Sequence, residues 1–316
     1  MNNKIKDKVV TILFSSILII FFLINAIKKD DDISISERRK LEKFPTLTIN
    51  NLMDGTFFKK FETYTTDQFI KRDYFRKLKV NLELNIKKNY NNLYNYNGYI
   101  VEQTFPLNKN SVINLANKMN SIKETYLTNN NIYFTIVPDK NYFINNGNLK
   151  LDYNELTNLM KNNLKDFNYI DIFSILNLDD YYKTDTHWKQ ENIKKVALLL
   201  SKNMNFDFYD NYNELEITSF KGVYSGQLPI KTELDKITIL TNDIINNNSS
   251  NKELIVFRDS YGSSLVPLLI QGYKKITVID TRYVSPKILN EYVDFNNKDV
   301  LFIYGVISVN NSSSIR

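Results

Sequence analysis

Leu254-Ile255-Val256-Phe257-Arg258-Asp259-Ser260-Tyr261-Gly262-Ser263-Ser264 is the stretch on which the fold turns. Four apolar residues give way to three polar ones, and a glycine then opens a helical run reaching about Gln271. That is a buried strand, a turn and a helix. The same alternation extends in both directions. Strands are predicted over 132–137, stopped by Pro138, and over 169–172, 253–257, 275–279 and 300–304. Helices are predicted over 112–126, 155–164, 190–202, 262–271 and 286–292. Short apolar strands between amphipathic helices imply an α/β fold, a parallel sheet with helices on both faces. Strand periodicity leaves a Rossmann and a flavodoxin-like order both open. Residues 203–245, with Gly222 and Gly226, are irregular and read as an insertion.

Ahead of this region lies a different kind of segment. Residues 9–27 read VVTILFSSILIIFFLINAI, an uncharged run from Val9 to Ile27. As a helix it rises about 28 Å, close to the ~30 Å hydrocarbon core of a bilayer. A cleaved signal has an apolar region of only about 7–15 residues and a small-x-small site. Ile24-Asn25-Ala26 is a poor match to one. The expectation is one retained N-terminal transmembrane helix with the remainder exported and tethered. Lysines flank the run on both sides (Lys4, Lys6 and Lys8; Lys28 and Lys29), so charge alone leaves its direction open. The expected organisation is 1–29 as cytoplasmic tip and anchor, 30–56 as juxtamembrane linker and 57–316, with an insertion near 203–245, as the main folded domain. Within the last, 57–90 carries apolar residues at helical spacing, one long helix or two, and 95–101 reads as a turn into a strand.

Composition removes several functions. The 316 residues hold 41 Lys+Arg against 35 Asp+Glu, a spread charge of +6 without a basic block, so nucleic acid is not an expected partner. Cysteine is absent, which excludes disulfides, thiolate nucleophiles and Cys-ligated metal. His187 is the single histidine, so imidazole catalysis has one candidate. Asparagine runs such as Asn246-Asn247-Asn248 read as surface loops.

The residues able to do chemistry cluster at strand ends, where open α/β sheets place ligands. Ser260 follows a strand and begins a helix, where backbone N–H groups and the helix dipole favour a developing oxyanion. A serine there also reads as a plain N-cap, and the G-x-S-x-G elbow is absent because Arg258 stands at its first glycine. In Thr184-Asp185-Thr186-His187-Trp188, His187 is the available base for a serine proton, and Asp185 is placed to orient it. A structural histidine packed on Trp188 is the other reading. Lys140, Arg282 and Tyr304 follow or end further strands and belong to the same rim if the sheet is parallel.

The order of these pieces resembles the DHHW family and, more broadly, the AlgX/AlgJ-like alginate O-acetylation proteins with an SGNH-hydrolase-like domain. Glu37-Arg38-Arg39-Lys40-Leu41, with Phe44-Pro45 after it, is similar to the family's opening E-x-R-x-L…P signature. Gly55-Thr56-Phe57, then Phe61-Glu62, Tyr64, Asp67-Gln68-Phe69 and Arg72, resemble its next block. Pro138-Asp139-Lys140 resembles V-P-x-K, Asp185-Thr186-His187-Trp188 matches D-x-H-W, and Asp259-Ser260-Tyr261 matches the nucleophile motif. The likeness runs from about residue 37 onward. Thr186 stands where the family name has its first histidine.

The resemblance implies a flavodoxin-like SGNH sheet, circularly permuted, because the serine here follows the D-x-H motif instead of preceding it. It implies a Ser260–His187–Asp185 triad, with Tyr261, Gly262, Arg282, Lys140 and Tyr304 as substrate or oxyanion contacts and no cofactor. The implied activity is acetyl transfer to a cell-surface polysaccharide, with a multi-pass membrane acyltransferase as donor. Water as acceptor would make the protein a carbohydrate acetylesterase. A non-catalytic envelope protein that binds polysaccharide or scaffolds an assembly is the alternative of another class.

Overall fold

The computed structural model describes residues 3–241 and 250–315. The run Asn246–Asn248 and residues 242–245 of the expected insertion lie outside them. The chain divides into two compact units. Residues to Tyr90, with Ser225–Lys231, form the first; Asn91–Tyr224 and Thr232 onward form the second.

In the first unit, α1 (Asn3–Ile27) contains the apolar run. It is the one helix among the described residues long and apolar enough to cross a membrane. The short ladder of β1 (Ile33–Ser34) and β2 (Arg39–Lys40) follows. Then come α2 (Ile49–Met53), capped by Thr48, α3 (Thr56–Asp67) and α4 (Arg72–Lys87). The stretch expected as one helix or two is two, broken where Lys71 takes a left-handed conformation (φ 55°). The motif residues of this region converge. Arg39 grips buried Asp67 through Nη1 and Nη2, Glu37 pairs with Arg72 and Arg76, and Gln68 donates to the carbonyls of Asp31 and Glu42. One ion-pair network thus fastens β1 and β2 to α3 and α4.

The second unit opens with a hairpin, β3 (Leu93–Tyr96) and β4 (Tyr99–Glu102). It turns on Asn97 and Gly98, both at positive φ (48° and 87°), as a tight two-residue hairpin requires. The βα region follows: α5 (Lys109–Tyr126), β5 (Asn131–Val137), α6 (Tyr153–Asn163), β6 (Asn168–Tyr169) and α7 (Lys194–Met204). The expected insertion holds an antiparallel hairpin, β7 (Asn213–Phe220) and β8 (Asp235–Thr241), around the short α8 (Val223–Gln227). Last come β9 (Glu253–Arg258), α9 (Gly262–Leu269), β10 (Lys275–Ile279), β11 (Asp299–Gly305) and α10 (Val306–Asn310). The helix expected over 286–292 is a 3-10 helix, Pro286–Glu291, and the start of the helix expected at 190 is one too, Gln190–Ile193.

The five sheet strands are all parallel, in the order β10-β9-β11-β5-β6. Renumbered from β9 as first, so that β10, β11, β5 and β6 become second to fifth, the order is 2-1-3-4-5. That is the flavodoxin-like order, entered at its fourth strand. Side-chain alternation along the strands builds two cores. Ile255, Phe257, Val300 and Phe302 pack with α5 and α6; Leu254, Val256, Leu301 and Ile303 pack with α7 and α9. Phe257 and Phe302 stack at 4.5 Å across β9 and β11. Both strands are therefore fixed at the switch point, where crossovers leave in opposite directions and a crevice forms at the carboxyl ends.

Candidate active site

β9 ends at Arg258 and carries Asp259, Ser260 and Tyr261 at its carboxyl end. Buried Asp259 organises the turn. Its Oδ1 accepts from Tyr261 N–H at 3.0 Å, and its Oδ2 accepts from Gly305 N–H and Ser308 Oγ, both at 2.7 Å. The carboxylate thereby ties the end of β9 to the end of β11. Burial raises its pKa, and these hydrogen bonds only partly offset that. Ser260 is half-buried, and its hydroxyl has no hydrogen-bond partner among the described residues. The N–H groups of Tyr261 and Gly262, expected as oxyanion donors, are taken by Asp259 itself, the latter through its carbonyl at 3.2 Å.

The second motif is a pinched loop. Tyr181 and Trp188 pair across an isolated β-bridge, and Tyr182 N–H donates to the His187 carbonyl at 3.0 Å. At the loop's tip Asp185 Oδ1 accepts from His187 Nδ1 at 2.7 Å and from the His187 N–H at 3.2 Å. Its Oδ2 accepts from Val223 N–H at 3.0 Å. Burial pushes the Asp185 carboxyl up, but bonds from the His187 ring and these backbone donors outweigh it and hold the group well below the usual carboxylate range. An ionised Asp185 on Nδ1 fixes the neutral tautomer that carries its lone pair on Nε2, the form a general base needs.

The two motifs are stitched together. Trp188 Nε1 donates to the Tyr261 carbonyl at 3.2 Å and to Ser264 Oγ at 2.7 Å. Tyr261 Oη donates to the Thr186 carbonyl at 2.9 Å, and the rings of His187 and Tyr261 lie 5.4 Å apart. Ser260 precedes Tyr261, so the candidate nucleophile and base sit on adjoining loops although 73 positions separate them in sequence. The His187 ring lies against Tyr261, and Trp188 meets the same Tyr261 ring edge-on at 5.4 Å, so Trp188 anchors the loop while the Asp185 carboxylate holds the imidazole.

The remaining expected contacts have internal partners. Lys140 is buried, and its Nζ donates to the carbonyls of Tyr182 at 3.1 Å and Lys183 at 3.2 Å. Burial pulls its pKa down to about 7. It supports the Asp185 loop from beneath. Tyr304 is buried in the core, with its hydroxyl 3.1 Å from Thr281 Oγ1. Arg282 clasps Asp280 through Nε at 2.9 Å and Nη2 at 2.6 Å, and Arg258 shares that carboxylate at 3.2 Å. Asp235 escaped sequence reasoning. Its carboxylate accepts from Lys183 N–H, Thr184 N–H and Thr184 Oγ1, setting the loop's entry. It lies on the inserted hairpin, and no periodicity marks it.

No family model matches the sequence. Among solved structures, a DHHW family protein from Eubacterium siraeum superposes with a TM-score of 0.59 and 16% identity, over 72% of this chain and 95% of that one. The chain shares the fold of that protein. Bacillus cereus PatB1, solved with a sulfonyl adduct, shares that fold at a TM-score of 0.57 and 15% identity, over 69% of this chain and 95% of its own. The O-acetyltransferase domain of Pseudomonas putida AlgJ superposes too loosely to carry weight (TM-score 0.47, 12% identity, 68% and 90% covered). By sequence, 156 residues are 31% identical to Cytotoxin-L of Paraclostridium sordellii. The match covers 46% of this chain and 6% of that far longer protein. Within this fold the strand order puts the D-x-H loop after β6, at one edge of the sheet, and the serine after β9, beside the central strand β11.

Proposed function

We propose that this chain is a membrane-anchored, cell-surface acyltransferase that moves an acetyl group onto a polysaccharide hydroxyl through Ser260. The observation that carries the reading is the Asp185–His187 pair, bonded at 2.7 Å on a loop fastened to the Ser260 turn. In the first half-reaction Ser260 Oγ attacks the ester carbonyl as His187 Nε2 takes its proton. The C–O bond to the leaving alcohol then breaks, the alcohol takes that proton, and acetyl-Ser260 remains. In the second, His187 deprotonates a sugar hydroxyl that attacks the acetyl-serine, and the proton returns to Ser260. Water in the sugar's place gives acetylesterase chemistry. Residues 9–27 hold the chain in the membrane with the catalytic domain on the extracytoplasmic side. A multi-pass acyltransferase presenting acetyl groups is the proposed donor.

A protein of the same fold accepts a sulfonyl adduct, which suggests the probe. The full-length chain in detergent is treated with phenylmethylsulfonyl fluoride and its mass and peptides are read. A single adduct on the Ser260 peptide is expected, lost in Ser260→Ala and slowed at least 100-fold in His187→Ala, in line with removal of a general base. Asp185→Asn should cost less than either, because it misplaces the base without removing it. Equal labelling of a folded Ser260→Ala protein removes the nucleophile and leaves the polysaccharide-binding alternative.

A further inference from the structure

The C-terminal part of α1 is not a bare tether. Phe21 stacks on Phe69 at 5.6 Å and 9° and meets Phe75 edge-on at 6.2 Å. Asn25 Oδ1 accepts from Ile70 N–H at 2.7 Å. Between α1 and this helical pair runs an apolar groove of about 720 Å³, walled by Leu18, Phe21 and Phe22 on one side and by Phe44, Phe61 and Phe69 on the other. Its rim is open: Phe44 is 60% exposed and Phe61 38%.

The position of these aromatics along α1 decides what covers them. Phe21 lies six residues before Ile27, about 9 Å down the helix axis, and Leu18 about 14 Å. The uncharged run is only 19 residues long, about 28 Å against a ~30 Å hydrocarbon core. It has no length to spare. Sliding α1 outward until Phe21 reached water would draw Lys6, Asp7 and Lys8 into hydrocarbon. Whatever touches Phe21 therefore shares its depth.

From this we propose that α3 and α4 are interfacial helices: the Phe44–Phe61–Phe69–Phe75 rim is immersed in the leaflet nearest the C-terminal end of α1, and lipid acyl chains fill the groove. The proposal rests on the reading of α1 as a membrane span. Lys59 and Lys60, within α3, are suited to the headgroup layer, as in other helices that lie in the interface with apolar faces ~5–10 Å deep. The bilayer thus recognises a built aromatic surface as well as a single helix.

Depth-dependent quenching tests it in the full-length chain, reconstituted into phosphatidylcholine vesicles with and without bromines on acyl carbons 6 and 7. Trp188 is buried, and the wild type supplies the background. Phe14→Trp reports the span, while Phe61→Trp and Phe75→Trp report the rim separately, each checked for folding by circular dichroism. The expected result is strong quenching at Phe14→Trp and at least about half as much at both rim positions, as for a surface in the upper acyl region. Quenching at Phe14→Trp with none at either rim position overturns the interfacial proposal and leaves the span standing. No quenching at any of the three overturns the span, and the proposal with it.

Discussion

Gly222→Ala perturbs the candidate site through geometry alone. Gly222 packs against the backbone of Thr184 and the Cβ of Asp185; a Cβ added to it would come within 2.5 Å of that Asp185 atom, where ordinary contact begins near 3.4 Å. Something must therefore move by about 1 Å. Thr184 cannot yield easily, because Asp235 accepts from both its N–H and its hydroxyl. Asp185 and the segment carrying Val223 N–H are the parts left to shift. Overpacking of this kind costs about 1–3 kcal/mol, a fall in Tm of roughly 2–10 °C for a domain of this size. A displacement of about 1 Å in a catalytic group costs on the order of 100-fold in rate. Sulfonyl labelling of Ser260 should accordingly slow about 100-fold in a protein that still melts cooperatively. Gly147→Ala is the control. It sits at φ +81° with nothing within 4 Å, so it should lose about 1–2 kcal/mol through backbone strain and label at the wild-type rate. Wild-type labelling in a folded Gly222→Ala protein would refute the idea that the position of Asp185 governs the serine.

Three further outcomes are expected. Lys140 has a folded pKa near 7 against about 10.4 unfolded, so between those values the unfolded chain binds the extra proton. Stability should rise with pH there by at most about 1.4 kcal/mol per unit, and the difference between wild type and Lys140→Met in denaturant titrations should trace that slope; parallel profiles would contradict the buried amine. The depressed pKa of Asp185 contributes stability that is full above about pH 4 and is lost as pH falls through the lower folded value; the gap between wild type and Asp185→Asn should narrow from pH 5 to pH 2, and a constant gap would count against the pairing. Asp259→Ala strands the N–H of Gly305 and the hydroxyl of Ser308, so it should lower stability by about 1–3 kcal/mol and slow Ser260 labelling, while a silent substitution would show that the turn holds without it.

Much of the fold was legible because a parallel sheet buried on both faces is written as continuous apolar runs. The strand expected over 275–279 coincides with β10, and the runs before Ser260 and before Gly305 are β9 and β11. Strand order was not legible from periodicity, since the pattern records burial and not neighbours. The flavodoxin-like order was implied only by the family resemblance, and the strand order agrees with it. The hairpin β7–β8 was missed because its strands alternate weakly and β7 is largely exposed. Asp235 was lost with it. Lys140, Arg282 and Tyr304 sit near strand ends as the pattern implied, but sequence does not say whether a polar head reaches solvent or an internal carbonyl. Each found an internal partner.

The permuted strand order also sets a schedule for folding. The middle strand of the sheet, β11, is the last of the five to be made. Until it arrives, β5 can pair with β6 and β9 with β10, but each pair keeps a long, apolar, unpaired edge facing the other. Such edges recruit foreign strands, and non-local parallel pairing is slow. The emerging chain therefore spends its synthesis as two half-sheets whose sticky sides are meant for a strand not yet translated. A chain that stops before Asp299 should be lost to aggregation, even though both motif loops, with Asp185, His187 and Ser260, are already present in it.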